Sequence, residues 1–177
     1  MYIKALLKLT GAILVIMTAC LFAKEANGMM KLRIVQITKL YSILSQLQSK
    51  LKYMNNTLPE CFSDFYHNTE FPFDSWFNNM AERMNEERTD DFSSIWSGGL
   101  NYLYDNSALH KSDIEILSGL KDKLNSYDVD EGIKAIDFVL LQLEERRKEL
   151  ITKSGEKQKV VVSLCLFVGL MTVLLLI

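Results

Sequence analysis

Residues 129–150 read Val-Asp-Glu-Gly-Ile-Lys-Ala-Ile-Asp-Phe-Val-Leu-Leu-Gln-Leu-Glu-Glu-Arg-Arg-Lys-Glu-Leu. Apolar side chains recur there every three or four residues with one arginine among them, at Val129, Ile133, Ile136, Leu140, Leu143, Arg147 and Leu150. A seven-residue repeat with two apolar positions is typical of a long α-helix that packs along another helix. The stretch therefore predicts a helical bundle, in which a second long helix must be present.

A matching repeat lies near the other end of the chain. Its positions are Met30, Ile34, Ile37, Tyr41, Leu44, Gln48 and Leu51. We expect long helices over residues 24–53 and 129–159, each about 45 Å long at ~1.5 Å per residue. One follows an apolar segment and the other precedes one, so the two helices should be antiparallel. Residues at equal depth should then have numbers that add to about 183.

Short helices are predicted between the two long ones. The sequences Thr57-Leu-Pro-Glu60 and Ser112-Asp-Ile-Glu115 match the capping box that begins a helix. Gly98-Gly99 is expected to interrupt or break a further helix. Apolar stripes at helical spacing complete these short elements, at Phe73, Trp76, Phe77, Met80 and Met84, and at Ile95, Trp96, Leu100, Leu103 and Tyr104. The predicted fold class is all-α.

Composition separates the ends of the chain from its middle. Residues 1–23 contain 18 apolar side chains and residues 160–177 contain 15, whereas the 136 residues between contain 53. Segments of about 20 apolar residues are long enough to cross a bilayer as helices. We therefore predict transmembrane helices at 1–23 and 160–177 and a single helical domain at 24–159. A cleaved signal peptide, or a lipoprotein leader ending before Cys20, is the alternative for the first segment.

Basic residues orient the predicted domain. Ten lysines and arginines lie within about 20 residues of the inner ends of the two segments, against Lys4 and Lys8 on the outer side. The positive-inside rule then places residues 24–159 in the cytoplasm. All 22 acidic residues also fall in this middle part, which is slightly acidic overall and so does not favour nucleic-acid binding.

No catalytic, cofactor or metal site is predicted. Neither of the two histidines, His67 and His110, has a second His or Cys at ligand spacing, and the pair His67 and Glu70 alone is too few for a zinc site. Cys61 is interpreted as a core residue. Core packing is the first interpretation of a dense aromatic cluster and a docking patch is the alternative; its members are Phe62, Phe65, Tyr66, Phe71, Phe73, Trp76 and Phe77.

The richest charged run supplies the candidate partner-binding residues, which are Glu144, Glu145, Arg146, Arg147 and Lys148. A solvated helix face is the alternative, since Glu144 and Lys148 form an i,i+4 pair. Arg147 falls at a seam position, where it would fix register, extend outward or receive a carboxylate from a partner. Gly28 and Gly155 also add to 183 and are candidate hinges, although headgroup-level loops often contain glycine.

The chain as a whole resembles the stage III sporulation protein AB family of endospore-forming bacteria. Short motifs in a fixed order carry the resemblance: Lys8-Leu-Thr-Gly-Ala12, Tyr53 with Thr57-Leu-Pro-Glu60, Leu143-Glu-Glu145, and the terminal segment around Gly169. The family often has a proline after the threonine of the second motif, and this chain has Leu58 there. Each motif is short, so the order of the four carries the specificity.

The resemblance implies a function. Members of the family are similar to the platform component of type II secretion machines and sit in the mother-cell membrane around the forespore. They are expected to form a channel with other proteins of their operon, and a secretion-type ATPase, stage III sporulation protein AA, is the expected cytoplasmic partner. No cofactor, small-molecule substrate or enzymatic activity is expected. A membrane-anchored lipid- or ligand-sensing protein is the alternative function.

Overall fold

The computed structural model describes residues 17, 28–54, 56–85, 91–124 and 129–176; beyond residue 156 it describes side chains only at Val160, Ser163 and Phe167. Every regular element within these ranges is helical. Arg33–Lys148 forms one compact unit, and the flanking residues Met1–Leu32 and Glu149–Ile177 form a second. The predicted segment 1–23, apart from Met17, and the predicted turn at 125–128 lie outside the described residues.

The first long helix, α1, covers residues 28–49 and continues as a π-helix, Lys50–Met54. Ile37 and Leu44 are buried as the repeat predicts, but Tyr41 is exposed, so that seam position was wrong. The buried stripe also contains Leu40, Ile43 and Leu47, together with two polar residues, Arg33 and Gln36. The helix therefore buries a broader face than a strict two-in-seven seam.

Helices α2 and α3, Leu58–Asn68 and Phe73–Asn85, follow as predicted. The backbone N–H of Thr57 donates a hydrogen bond of 2.8 Å to Glu60 Oε2, which confirms the first capping box. The apolar stripe of α3 faces the core, with Phe73, Trp76, Phe77 and Met80 buried. Lys50 Nζ bonds Asp64 Oδ2 at 2.5 Å and so ties the π-helix to α2.

Helix α4, Phe92–Asn106, runs through Gly98-Gly99 without interruption, so the predicted break was wrong. A Cβ at Gly99 would lie 2.8 Å from both Met80 Sδ and Trp76 Nε1. The glycine is therefore needed for the close approach of α3 to α4 rather than for a bend. Glycine costs a helix up to about 1 kcal/mol relative to alanine, which the packing of two large side chains offsets.

Helix α5, Lys111–Ser118, begins two residues earlier than predicted. Its N-cap is His110, whose backbone N–H bonds Asp113 Oδ2 at 2.9 Å, so the capping box at Ser112 was wrong. After Ser118 the chain continues in turns through residue 124, held by bonds such as Leu120 N–H to Leu117 C=O at 3.1 Å. These turns still bury Leu120 and Leu124.

The last helix, α6, extends from Val129 to Leu176 as one element. Its inner face buries Ile136, Leu140 and Leu143 as predicted, with Val139 in addition, whereas Val129 is exposed. Within the residues that the structure describes, no helix has both the length and the apolar character that crossing a membrane requires.

One contact between α1 and α6 bears on the predicted antiparallel register. The side-chain amide of Gln48 donates to Asp137 Oδ1 at 2.6 Å and to the backbone oxygen of Ile133 at 3.3 Å. The residue numbers of these two pairs add to 185 and 181, on either side of the predicted 183. The register predicted from matched helix lengths is thus confirmed at this level of the bundle.

Candidate functional site: a buried ion cluster

Asp113 is the centre of the most unusual polar arrangement in the described residues. Its side chain is 0% exposed, although it sits on the first turn of α5. An isolated carboxylate is costly to bury, so its oxygens require partners. The capping position accounts for one of them, because the backbone N–H of His110 donates to Oδ2.

Arg33 of α1 supplies the main partner. Its Nε bonds Asp113 Oδ2 at 2.7 Å and its Nη2 bonds Oδ1 at 2.9 Å, while the arginine side chain is only 7% exposed. This is the two-pronged pairing for which the planar guanidinium is suited. The pair joins α1 to α5 through two residues that lie 80 positions apart in the chain.

Arg146 of α6 makes the second ion pair of Asp113. Its Nε lies 3.3 Å from Oδ1, and its side chain is 25% exposed. Each carboxylate oxygen of Asp113 therefore has two N–H donors within reach. Three helices, α1, α5 and α6, therefore meet at the buried carboxylate of Asp113.

His110 and Gln36 extend the cluster. The Nδ1 atom of His110 lies 2.8 Å from Arg33 Nη1, and Gln36 Oε1 accepts a bond of 2.7 Å from the backbone N–H of Ala108. The loop between α4 and α5 is thus held against α1 by side chains one turn apart. Trp96 adds a further link, because its indole N–H donates to the backbone oxygen of Leu117 at 3.1 Å.

The predicted partner-binding run divides into two groups. Arg146 turns inward to Asp113, whereas Glu145 and Lys148 are exposed. Arg147 does not insert into a seam; its Nε and Nη2 each bond Glu144 at 2.9 Å on the same helix. This pair lowers the pKa of the Glu144 carboxyl, mainly through the hydrogen bond from Arg147. The run remains a prediction as a docking site, with Glu144, Glu145, Arg147 and Lys148 as its outward members.

The aromatic cluster is largely core, which confirms the first interpretation. Phe62, Phe65, Phe73, Trp76 and Phe77 are buried and pack on one another and on Trp96, with ring centroids such as those of Trp76 and Trp96 5.6 Å apart. Tyr66 and Phe71 are exposed instead. The five buried rings leave little of the cluster available as a docking or ligand-binding patch.

Cys61 is also a core residue, as predicted. Its side chain is fully buried, and burial raises the pKa of its thiol to about 11. A thiol in this state is a poor nucleophile, since the thiolate is the reactive form. In the part of the chain that the structure describes, no three His, Cys, Asp or Glu side chains are grouped so that they would hold a metal ion.

The hinge candidates Gly28 and Gly155 both lie within helices, α1 and α6. A Cβ added at either position would have no atom within 4 Å. Neither glycine is therefore required by packing, and their role as hinges stays a prediction.

Sequence reasoning missed the ion cluster as a unit. In the sequence, Arg33 is one of the ten basic residues near the inner ends of the two apolar segments, and Asp113 belongs to the motif Ser112-Asp-Ile-Glu115. The available signal was positional: Arg33 lies four residues before Ile37 on the buried stripe of α1, where a charged side chain needs a buried partner. Nothing in the sequence identifies that partner from 80 residues away.

Comparisons with known proteins agree with this architecture. The family model of stage III sporulation protein AB matches residues 8–177. The stage III sporulation protein AB of Bacillus subtilis (strain 168) is 23% identical over 171 residues, covering 97% of this chain and 99% of that protein. A solved structure of stage III sporulation protein AB (SpoIIIAB) has the same fold, with a TM-score of 0.64 at 21% identity over 70% of this chain and 97% of that one. The chain belongs to the stage III sporulation protein AB family.

Proposed function

We propose that this chain is a non-enzymatic platform protein of a channel between the mother cell and the forespore, and that it couples a cytoplasmic secretion-type ATPase to that channel. In this proposal residues 1–23 and 160–177 span the mother-cell membrane, and the helical domain between them lies in the cytoplasm. Membership of a sporulation family and the basic residues that flank both apolar segments support it.

The observation that carries the proposal is the continuity of α6. One helix begins at Val129 in the bundle and ends at Leu176, so its hydrogen-bonded backbone continues into the apolar segment 160–177. A helix without a break transmits displacement along its axis, because each turn is bonded to the next. A force applied to the bundle would reach the membrane by this path.

The ion cluster supports the same mechanism. Arg33 and Arg146 belong to the two long helices and share the carboxylate of Asp113. Because breaking a buried ion pair is costly, the two helices should move together rather than slide past each other. The two long helices would then move as one rigid body, with α5 connecting them.

Binding of the ATPase tests the proposal. The full chain in detergent is mixed with purified stage III sporulation protein AA, and co-purification is measured for the wild type, Glu145→Lys and Lys148→Glu. Both side chains are exposed, so these variants should keep the fold. We expect binding by the wild type and reduced binding by the two variants. Lys134→Glu, also exposed on α6 but outside the run, is the matched control and should bind normally.

The outcomes separate the parts of the proposal. Absence of binding by the wild type would contradict the coupling function. Normal binding by all variants would keep the function and remove the charged run as its docking site. Arg146 is unsuitable for this test, because its reversal would place a carboxylate beside buried Asp113.

The proposed topology has its own test. Ser63 is exposed on α2, and Cys61 is buried, so a chain carrying Ser63→Cys with Cys20 and Cys165 replaced by serine has one reactive thiol. A membrane-impermeant maleimide should leave this thiol unlabelled in intact protoplasts and should label it once the protoplasts are permeabilised. Labelling of intact protoplasts would place the domain on the other side of the membrane.

The hinge candidates are tested by alanine. Gly28→Ala and Gly155→Ala add a methyl group where no atom lies within 4 Å, so the helices should be stabilised by about 0.5–1 kcal/mol. If the glycines are hinges, sporulation efficiency falls while the amount of protein is unchanged. Normal sporulation of the double variant would remove the hinge function.

A further inference from the structure

The contact between Arg33 and His110 fixes a protonation state. Nη1 of Arg33 lies 2.8 Å from Nδ1 of His110. A guanidinium group has N–H donors and no acceptor, so the imidazole nitrogen must supply the lone pair. The contact therefore exists only while His110 is neutral, with its proton on Nε2.

A second proton on His110 would remove the lone pair that accepts from Arg33. Arg33 from α1 and Arg146 from α6 both pair with Asp113 of α5 at this junction. Lys111, next to His110 on its own element, is exposed, and Gln36 of α1 is neutral. An imidazolium would set an N–H group against the guanidinium, in place of the lone pair that accepts from it.

We propose that His110 is a proton-sensitive latch between α5 and α1. Neutral His110 accepts from Arg33 and holds the N-terminus of α5 on α1, and protonation breaks that bond and loosens the junction. The residue is exposed, so a proton reaches it without unfolding of the bundle. The latch regulates how firmly the two long helices are joined, and it does not depend on the identity of any partner.

The sequence supplies a matched control, because the chain has two histidines. His67 is exposed on α2, where its ring lies 4.8 Å from that of Tyr66. His110→Asn keeps a good N-cap residue and an acceptor near the position of Nδ1 that does not gain a proton. His67→Asn removes the other imidazole and leaves the junction unchanged.

The experiment measures thermal unfolding of the full chain in detergent at pH 8 and pH 5.5, the interval in which histidine side chains ordinarily gain a proton. Tryptophan fluorescence follows it, because Trp76 and Trp96 are both buried in the Arg33–Lys148 unit. We expect acidification to lower the Tm of the wild type and of His67→Asn by about 3 °C more than that of His110→Asn, as loss of one charge-assisted hydrogen bond implies.

An equal loss of Tm in all three proteins would overturn the proposal. If His110→Asn does not fold at pH 8, the wild type decides the matter by two-bond ¹H–¹⁵N spectra of its imidazoles. A proton on Nε2 of His110 at pH 8, together with altered amide shifts at the start of α5 on acidification, is the expected result. A proton on Nδ1 at pH 8 would overturn it.

Discussion

Two arginine–carboxylate pairs in this chain have similar geometry and different surroundings. Arg33 and Asp113 make two N–H···O bonds of 2.7 and 2.9 Å, and Arg147 and Glu144 make two of 2.9 Å. The side chains of the first pair are 7% and 0% exposed, and those of the second are 34% and 28% exposed. The first joins two helices, whereas the second lies within one turn of α6.

The difference shows that bond length does not measure what an ion pair does for a fold. When an exposed ion pair forms, each charge gives up interactions with water that are nearly as favourable as the pair itself, and salt screens the attraction that remains. A buried pair gives little net stability relative to apolar residues, but removing one member leaves the other charged and without water. The buried pair therefore constrains which helices lie together, whereas the exposed pair affects only the charge distribution on the surface of α6.

Removal of the buried carboxylate should produce the largest effect. Asp113→Asn removes the carboxylate that Arg33 and Arg146 share, and we expect a loss of about 3–5 kcal/mol in the free energy of unfolding. Urea unfolding followed by tryptophan fluorescence measures it. Glu144→Gln is the matched control on the exposed pair and should change little. Equal effects of the two substitutions would contradict the comparison.

The adjacent residues Gly98 and Gly99 also differ in their surroundings. A Cβ at Gly99 would lie 2.8 Å from the rigid indole of Trp76, whereas one at Gly98 would lie 2.7 Å from Arg83 Nη1, the end of a flexible side chain. Gly99→Ala should destabilise the protein by about 1–3 kcal/mol, as overpacked cores do. Gly98→Ala should cost much less, because Arg83 can move. Thermal unfolding of both variants checks the difference, and a greater loss for Gly98→Ala would contradict it.

Burial also predicts a dependence on alkaline pH through Cys61. Its thiol has a pKa raised to about 11 in the folded chain, from an ordinary value of 9.0, because burial disfavours the thiolate. The unfolded chain loses this proton first, so the stability is fully present below pH 9 and falls as pH rises toward 11. Cys61→Ala should show a shallower decline in unfolding free energy between these values. Parallel curves would show that burial of the thiol contributes nothing.

The smallest effect is expected at the exposed pair on acidification. Arg147 lowers the pKa of Glu144 below its ordinary value of 4.5, first through a hydrogen bond and then through its charge. The contribution of this pair is present above pH 4.5 and is lost as pH falls through the lowered pKa of Glu144. At low ionic strength, Glu144→Gln should remove the part of the acid-induced loss of unfolding free energy that comes from this pair. At high salt, the wild type and the variant should lose the same amount, because the pair is screened. A component that survives high salt would indicate that the pair is more buried than the structure shows.

Apolar periodicity predicted the helices, but it did not predict which polar residues are buried. The two long helices, the Thr57 cap and the core role of the α3 stripe follow from spacing and local capping chemistry, which depend on near neighbours. The start of α5 was missed because Asp113 caps the N–H of His110 while it also binds Arg33 across the bundle. The prediction of a break at Gly98-Gly99 was wrong because the need for glycine there comes from another helix, where Trp76 and Met80 pack against Gly99. Contacts at such separations carry no local signature.

The most direct test is a double-mutant cycle on the buried pair, with Arg33→Met, Asp113→Leu and the double variant compared in urea unfolding. If the ion cluster holds α1 to α5, the double variant is less destabilised than the two single losses added together, with a coupling energy of about 2–3 kcal/mol. The same cycle on Arg147 and Glu144 is the control and should show much weaker coupling. A coupling energy between Arg33 and Asp113 no larger than that of the exposed pair would contradict the account.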